Sequence, residues 1–223
     1  MKRAAIISIS ISFILLCGYI LPHWFILKES AEVRSKFAIG YVVFEGVVTL
    51  KDAEGVETSC NGQFTIKRAD NTFEAKIICD DSISSFKYKD VKLISQTIKS
   101  KGNLFVRPIS HLIEYSDLII PLPISSEKLK GRVCNIVKEC DSVEYKRLGG
   151  VINYRFISRQ SGNYYMLEKE ALLPSALFIK EKNLEIEARK YYSFSTNIRF
   201  PSVIEVRVDK QTLTILVDDL TIE

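Results

Sequence analysis

The chain has 223 residues, with 31 Lys and Arg, 27 Asp and Glu, two His and five Cys. The formal net charge of +4 is small and the charges are interspersed, which argues against a nucleic-acid-binding surface. No pairing of nucleophile with base and no metal-ligand spacing occurs in the sequence. We therefore expect a binding or structural protein, with no catalytic residues, no metal site and no cofactor.

An uncharged run of 24 residues, Ala4 to Leu27, follows Lys2 and Arg3. About 20 apolar residues suffice to cross a bilayer as a helix. Basic residues in front of the run place the N-terminus in the cytoplasm. We therefore predict a signal anchor over residues 1–28 and one domain over residues 29–223. We expect a single-pass protein of the inner (cytoplasmic) membrane, with its domain in the periplasm or outside the cell.

Two other interpretations of the N-terminal segment make different demands on the sequence. A cleaved secretory signal needs small residues at the cut, but Tyr19, Ile20 and Leu21 occupy that region. A lipoprotein signal ending at Cys17 needs small residues before the Cys, but Leu15 and Leu16 stand there. The uncleaved anchor fits best.

The first part of the domain shows a short helix and then strands. Residues 29–37 are compatible with a helix leading out of the membrane. Residues 38–50 are rich in Val, Ile, Tyr and Phe and predict a long strand. Residues 61–78 predict a hairpin that turns at Ala69-Asp70-Asn71, and residues 84–94 predict a strand with a bulge or turn near Asp90.

The remaining four cysteines indicate an oxidising compartment. The hairpin brings Cys60 and Cys79 to nearly opposite positions, and Cys134 and Cys140 are close in sequence. We predict the disulfides Cys60–Cys79 and Cys134–Cys140, which suit a domain outside the cytoplasm.

A helical pattern interrupts the strands in the middle of the chain. Apolar residues after Pro108 recur at spacings near three and four, which predicts a helix over residues 109–119. Pro121-Leu122-Pro123 ends it. The apolar segment from Ile119 to Ile124 either forms a lid or mouth that meets a membrane or partner, or packs as core under the sheet.

From Tyr145 onward apolar and polar residues alternate with a period of two. Each strand therefore has an apolar face and a wet face, the latter including Asn153, Glu187 and Arg207. Turns at Gly149-Gly150 and Lys182-Asn183 order the strands as a meander. The predicted fold is mainly β: one large curved antiparallel sheet, or half-barrel, of nine to eleven strands with one or two lid helices.

Several segments of the chain together form a recognisable pattern. The C-terminal segments are Val151–Phe156, Tyr165–Lys169, Leu173-Pro174-Ser175, Leu184–Ile186, Tyr191-Tyr192 and Phe200–Val206, and the N-terminal one is Phe44–Val48. This pattern resembles the LolA/LolB-like superfamily of outer-membrane lipoprotein carriers and receptors. The resemblance implies an unclosed half-barrel of eleven strands whose helices cover an apolar cavity that binds acyl chains. An uncleaved anchor distinguishes this chain from a released carrier and favours a tethered module.

We therefore expect the domain to bind lipid or lipoprotein acyl chains in an apolar cavity, at the membrane and with a possible envelope protein partner. The expected ligand-binding residues lie on the apolar face and in the lid: Phe44, Ile113, Ile119, Leu122, Ile152, Tyr154, Phe156, Ile186, Ile204 and Val206. The alternative is a bitopic envelope scaffold or assembly protein with a filled core and no ligand. Cavity volume distinguishes the two.

Overall fold

A computed structural model describes residues 21–36, 40–80, 82–138, 142–194 and 198–222. The alternating apolar positions form twelve strands within these residues. The strands are β1 Tyr41–Lys51, β2 Glu57–Lys67, β3 Thr72–Cys79, β4 Ser82–Lys89, β5 Lys92–Thr97, β6 Val143–Leu148, β7 Val151–Ile157, β8 Tyr164–Glu168, β9 Pro174–Ile179, β10 Leu184–Ser193, β11 Arg199–Val208 and β12 Gln211–Ile222.

All twelve strands belong to one open antiparallel sheet in the order β5-β4-β3-β2-β1-β12-β11-β10-β9-β8-β7-β6. The meander prediction holds within each half, and β1 pairs with β12 at the centre. The expected nine to eleven strands were too few, partly because residues 84–94 belong to two strands. Asp90 and Val91 adopt left-handed backbone conformations, with φ of 49° and 69°, and turn the chain between them.

The predicted hairpin turns are confirmed. β2 and β3 pair around residues 68–71, where Asn71 has a φ of 49°. Gly149 and Gly150, with φ of 55° and 87°, form a two-residue connection between β6 and β7. Positive φ at both central residues matches the right-handed twist of a hairpin, and glycine adopts it without a steric penalty.

Four α-helices occur in the described residues: α1 His23–Ser35, α2 Val106–Glu114, α3 Ser116–Ile119 and α4 Ser126–Val137. Short 3₁₀ helices cover Ser100–Phe105 and Lys180–Lys182. The predicted helix over 109–119 is thus two helices with a break at Tyr115, and α4 was not predicted. The expectation of one or two lid helices was too low.

The helices cover one face of the sheet, which we call the covered face. Helix α2 contacts β11 and β12, α3 contacts β9 and β10, and α4 contacts β8 and α1. Apolar residues from both layers form a single hydrophobic core. Burial of this surface is the main force that holds the layers together.

Helix α1 begins inside the uncharged N-terminal run. Its Ile26 and Leu27 are each 1% exposed and belong to the core of the domain. Residues 1–20, which carry most of the predicted anchor, lie outside the described part of the chain. None of the helices in the ranges given above is long and apolar enough to span a membrane.

The Cys60–Cys79 disulfide is confirmed, with a Cα–Cα distance of 4.7 Å between β2 and β3. Cys134, on α4, is also disulfide-bonded. Its predicted partner Cys140 lies outside the described residues.

The outer face, opposite to the covered face, is less wet than expected. Asn153 is 1% exposed and Glu187 is 4% exposed. Arg207 Nη1 lies 2.9 Å from a Glu187 carboxylate oxygen, and Arg189 Nε lies 3.3 Å from the other. Long Arg side chains therefore cover and pair with charged groups on this face.

Candidate functional site

Nine of the ten predicted ligand-binding residues are buried in the core between sheet and helices. They are Phe44, Ile113, Ile119, Leu122, Tyr154, Phe156, Ile186, Ile204 and Val206. The tenth, Ile152, is the second residue of β7 and is 39% exposed. The structure thus brings these nine side chains together, but they pack against one another in the core.

The segment from Ile119 to Ile124 is core. Ile119, Ile120, Leu122 and Ile124 are all buried against the sheet or the other helices. Of the two alternatives for this segment, packing as core under the sheet is confirmed.

Arg34 is the most unusual polar residue of the helix layer. It is completely buried on α1, and its guanidinium reaches the connection between α3 and α4. Nε donates a hydrogen bond to the carbonyl oxygen of Leu122 at 2.8 Å, and Nη2 donates to those of Ile120 at 3.2 Å and Asp117. One charged side chain thus satisfies three backbone acceptors that follow α3.

The surroundings of Arg34 explain how its charge is tolerated. Burial lowers the pKa of the guanidinium, while Tyr165 and Asp117 oppose that shift. An arginine nevertheless keeps its proton. The Tyr165 hydroxyl donates to the carbonyl oxygen of Leu118 at 3.1 Å, which adds a second polar contact from the sheet to α3. Burial raises the pKa of Tyr165, so it remains a neutral donor.

A cavity of about 880 Å³ lies at the end of the sheet where the β6–β7 turn and the β8–β9 connection meet. Its wall is built from three parts. These are Arg147 to Asn153, Glu168 to Ala171, and residues of β9 to β12, including Ser175, Ala188–Tyr191, Arg199, Val203 and Leu216. Of the ten predicted residues, Ile152 alone lines it.

Strand alternation places much of this cavity on the outer face. Arg189 pairs with Val203, and Val203 pairs with Leu216, so the three share one face of neighbouring strands. Ala188, Ile204 and Ile215 form the next row and have their side chains in the core. Successive residues of a strand point to opposite faces, so the first row faces away from the helices.

The cavity wall carries more positive than negative charge. Five basic residues line it, Arg147, Lys169, Arg189, Lys190 and Arg199, against two acidic residues, Glu168 and Glu170. Burial raises the pKa of the Glu168 carboxyl, an effect that Arg199 opposes. Lys169 Nζ stands 4.7 Å from the centre of the Tyr145 ring. An excess of cations beside partly apolar walls suits an anionic ligand.

Two polar atoms in the cavity wall have no hydrogen-bond partner among the described residues. They are Oδ1 of Asn153 and Oγ of Ser175, whose residues are 1% and 4% exposed. Asn153 Nδ2 donates to the carbonyl oxygen of Val151 at 2.9 Å. Because only the amide nitrogen can pair with a carbonyl, this bond fixes which amide atom is the free acceptor. Unpaired buried oxygens are costly and often mark a ligand site.

No group of three or more metal-ligating side chains occurs in the part of the chain that the structure describes. His111, on α2, lies with Nδ1 3.5 Å from Glu114 Oε2, and burial lowers the pKa of its imidazole. The pair is a surface contact within one helix turn.

Sequence reasoning missed Arg34, Asn153 and Ser175. Arg34 stood among ordinary charged residues, and Asn153 matched the polar phase of a strand. A turn of two glycines close to Asn153 was the available signal, because such turns often bend a strand end over a site. No local pattern marks Ser175, since its neighbours come from distant strands.

The sequence matches no protein-family model and no curated protein. Solved structures that resemble the chain include the following three. A LolA superfamily protein from Nitrosomonas europaea is 11% identical, with a TM-score of 0.50, and the match covers 92% of this chain and 94% of that one. A putative outer membrane lipoprotein-sorting protein domain from Vibrio parahaemolyticus is 12% identical, with a TM-score of 0.45, and the match covers 88% and 91%. A DUF1329 family protein from Desulfovibrio piger is 11% identical, with a TM-score of 0.43, and the match covers 88% and 93%.

The open antiparallel sheet of twelve strands, covered on one face by helices, defines the chain as a mainly β protein with a helical layer. Its fold is LolA-like, as the similarity to the Nitrosomonas europaea structure shows. The resemblance inferred from the sequence is therefore confirmed for the fold.

Proposed function

We propose that this protein is an inner-membrane protein whose extracytoplasmic domain binds the acyl chain of a lipid or lipoprotein, without catalysis. The chain would lie between the covered face and the helices. The N-terminal run Ala4 to Leu27 supplies the tether, although α1 takes its last residues into the domain.

The observation that carries this proposal is the chemistry of the interface between the layers. Ile113 and Ile119 from the helices and Leu122 from the connection between α3 and α4 lie in one core with Ile186 and Ile204 from the sheet. Apolar contacts are non-directional, so an acyl chain can replace helix side chains against the sheet at little cost. Because such contacts hold the helix layer, it can separate from the sheet when a suitable apolar ligand takes the place of the helix side chains.

Polar contacts hold each helix of the lid. Ser30 Oγ on α1 donates to the carbonyl oxygen of Leu172 at 2.7 Å, the hydroxyls of Tyr88 and of Ser110 on α2 lie 2.9 Å apart, and Asn163 Nδ2 donates to the carbonyl oxygen of Ile136 on α4 at 3.0 Å. The bonds to α3 and the segment after it come from buried side chains. Arg34 holds the carbonyls of Asp117, Ile120 and Leu122, and Tyr165 holds that of Leu118. These hydrogen bonds stabilise the arrangement in which the helices cover the sheet. A ligand that opens the lid must offset their loss with the apolar surface it buries.

Lipid extraction tests the proposal. The full chain is purified from membranes in mild detergent, extracted with solvent and analysed by mass spectrometry beside an unrelated single-span protein. A lipid or lipopeptide in stoichiometric amount and enriched over that control supports the carrier. The variant Arg34→Met, with a weaker lid, should carry a different amount of it.

The location is tested separately. Carbonate washing should leave the chain in the membrane fraction, and protease added to spheroplasts should digest residues 40–222 from outside. Protection of the domain in intact spheroplasts would overturn the topology.

The filled core favours a second candidate, an envelope scaffold. Nine residues expected to face a ligand are instead packed together, and edge strand β5 exposes Leu93 and Ile94 at 41% and 54%. Exposed apolar edges suit pairing with a partner strand. A domain that is purified empty but retains a protein partner would favour this candidate.

A further inference from the structure

We propose that the outer-face cavity is a second binding site, for the head of an anionic glycerophospholipid that carries a hydrogen-bond donor beside its phosphate. Much of this site lies on the other side of the sheet from the covered face, although Ala188 and Tyr191 of its wall belong to the core. It therefore goes beyond the proposed acyl-chain site and stands on different residues.

The size and the walls of the cavity define the class of ligand. A volume of about 880 Å³ falls within the range of small-molecule sites, roughly 300–1,000 Å³. Val151, Ile152 and Leu216 give the rim an apolar part and are 45%, 39% and 43% exposed. A ligand with both a polar head and an apolar tail uses both parts of this wall, and its tail can leave along the rim.

The charge of the wall defines the sign of the head. Arg189 is engaged by Glu205 Oε2 at 2.7 Å and by Glu187, so its charge is already compensated. Arg147, Lys190 and Arg199 are exposed at the mouth and can meet a phosphate. Arginine in particular binds phosphate oxygens through two parallel hydrogen bonds.

The unpaired oxygens define the rest of the head. Asn153 Oδ1 accepts and cannot donate, so its ligand partner is a hydroxyl or an ammonium group. Ser175 Oγ can do either. A phosphoglycerol head offers both the anion and the hydroxyl donors, whereas a phosphocholine head has no donor. The cavity should therefore prefer phosphatidylglycerol to phosphatidylcholine.

Native mass spectrometry of the full chain in detergent tests this site, with dihexanoyl phosphatidylglycerol, dihexanoyl phosphatidylcholine and glycerol 3-phosphate as probes. We expect the first to bind at least about tenfold more tightly than either of the others. Phosphatidylcholine binding with equal affinity would overturn the donor requirement. Equal binding of glycerol 3-phosphate would overturn a lipid as the occupant.

Two variants with matched controls locate the binding. Leu216→Glu places a negative charge on the apolar rim, and Ile83→Glu makes the same change at an exposed apolar residue of β4. Arg199→Gln removes a cation at the mouth, and Lys76→Gln removes an exposed one from β3. The cavity variants should weaken phosphatidylglycerol binding about tenfold and their controls should leave it unchanged.

Each substituted side chain is exposed, so we expect all four variants to fold. Circular dichroism checks this expectation. Equal binding by cavity variants and controls would overturn the cavity as the site, and so would absence of binding to the unmodified chain. Neither result depends on lipid extracted from the covered face. The two sites therefore stand or fall separately.

Discussion

Arg34 Nε lies 2.8 Å from the carbonyl oxygen of Leu122, a residue 88 positions further along the chain. This hydrogen bond joins the N-terminal helix to the connection between α3 and α4. It also belongs to a set of three hydrogen bonds by which a buried positive charge is paired with backbone oxygens, which makes Arg34 the most consequential polar residue of the lid.

Replacing Arg34 by Met keeps most of the side-chain volume but removes the guanidinium donor from the carbonyl oxygens of Asp117 and Leu122, while that of Ile120 still accepts from the backbone N–H of Leu122. We expect the free energy of unfolding to fall by about 3 kcal/mol, since each unsatisfied buried acceptor is costly. Hydrogen exchange should increase first around residues 117–122. Urea unfolding measures the loss, and Arg107→Met, at an exposed ion pair with Asp209, is the control. Equal stability of the two variants would contradict the role of Arg34.

The Cys60–Cys79 disulfide closes a loop with a sequence separation of 19 residues. A cross-link of that length restricts the unfolded chain and contributes about 3 kcal/mol. The double variant Cys60→Ala, Cys79→Ala should lose this amount in urea unfolding. Adding reductant to the double variant isolates the effect of the bond at Cys134. Unchanged stability of the double variant would show that strand pairing alone fixes β2 and β3.

Gly46 lies at a bulge in β1, where the backbone of β12 comes close. A Cβ added there would overlap with the carbonyl oxygen of Leu216, and backbone cannot move aside cheaply. Gly46→Ala should therefore destabilise the sheet by about 3 kcal/mol. Gly131→Ala is the matched change on α4, where a Cβ meets nothing within 4 Å. Gly131→Ala should stabilise the protein by about 0.5–1 kcal/mol. The two variants should therefore shift the melting temperature in opposite directions.

Glu168 gives the stability a pH dependence. Burial raises the pKa of its carboxyl in the folded state above the ordinary value of 4.5, and Glu170 adds to the rise. The folded state thus binds the proton more tightly than the unfolded state. The contribution of Glu168 is fully present below its ordinary pKa and is lost as the pH rises through the folded pKa.

The variant Glu168→Gln removes that dependence. Relative to the unmodified chain, it should be more stabilising at about pH 7 than at about pH 4. Urea unfolding at both pH values measures the difference, with the exposed Glu54→Gln as control. A difference of the opposite sign would mean that Arg199 outweighs burial at this carboxyl.

Much of the sheet could be predicted from the sequence because its signals are local. The alternation of apolar and polar residues predicted β7 and β10 to β12. Gly149-Gly150 predicted a turn because glycine adopts positive φ easily. Helix α4 also had a signal, since Leu129, Val133 and Val137 recur every four residues behind the N-cap Ser125. Its many charged residues concealed that spacing.

The candidate sites were harder to predict because they depend on packing between distant residues. The apolar face was recognised, but whether it encloses a ligand or packs against helices is decided by volumes that no local pattern contains. Asn153 matched a wet face, yet the β8–β9 connection and neighbouring strands bury it. The outer-face cavity combines residues of seven strands, and the meander order of those strands does not specify which of their side chains enclose a space.

The pairing of β1 with β12 at the centre of the sheet has a consequence for folding. The earliest strand of the domain has its long hydrogen-bonded partner almost at the other end of the chain, so this contact has a very high sequence separation. A chain exported from its N-terminus would present β1 as an open edge until β12 arrives. Folding should therefore be slow, with a late step that joins two preformed half-sheets, and in that interval the exposed edge is open to aggregation or to a chaperone.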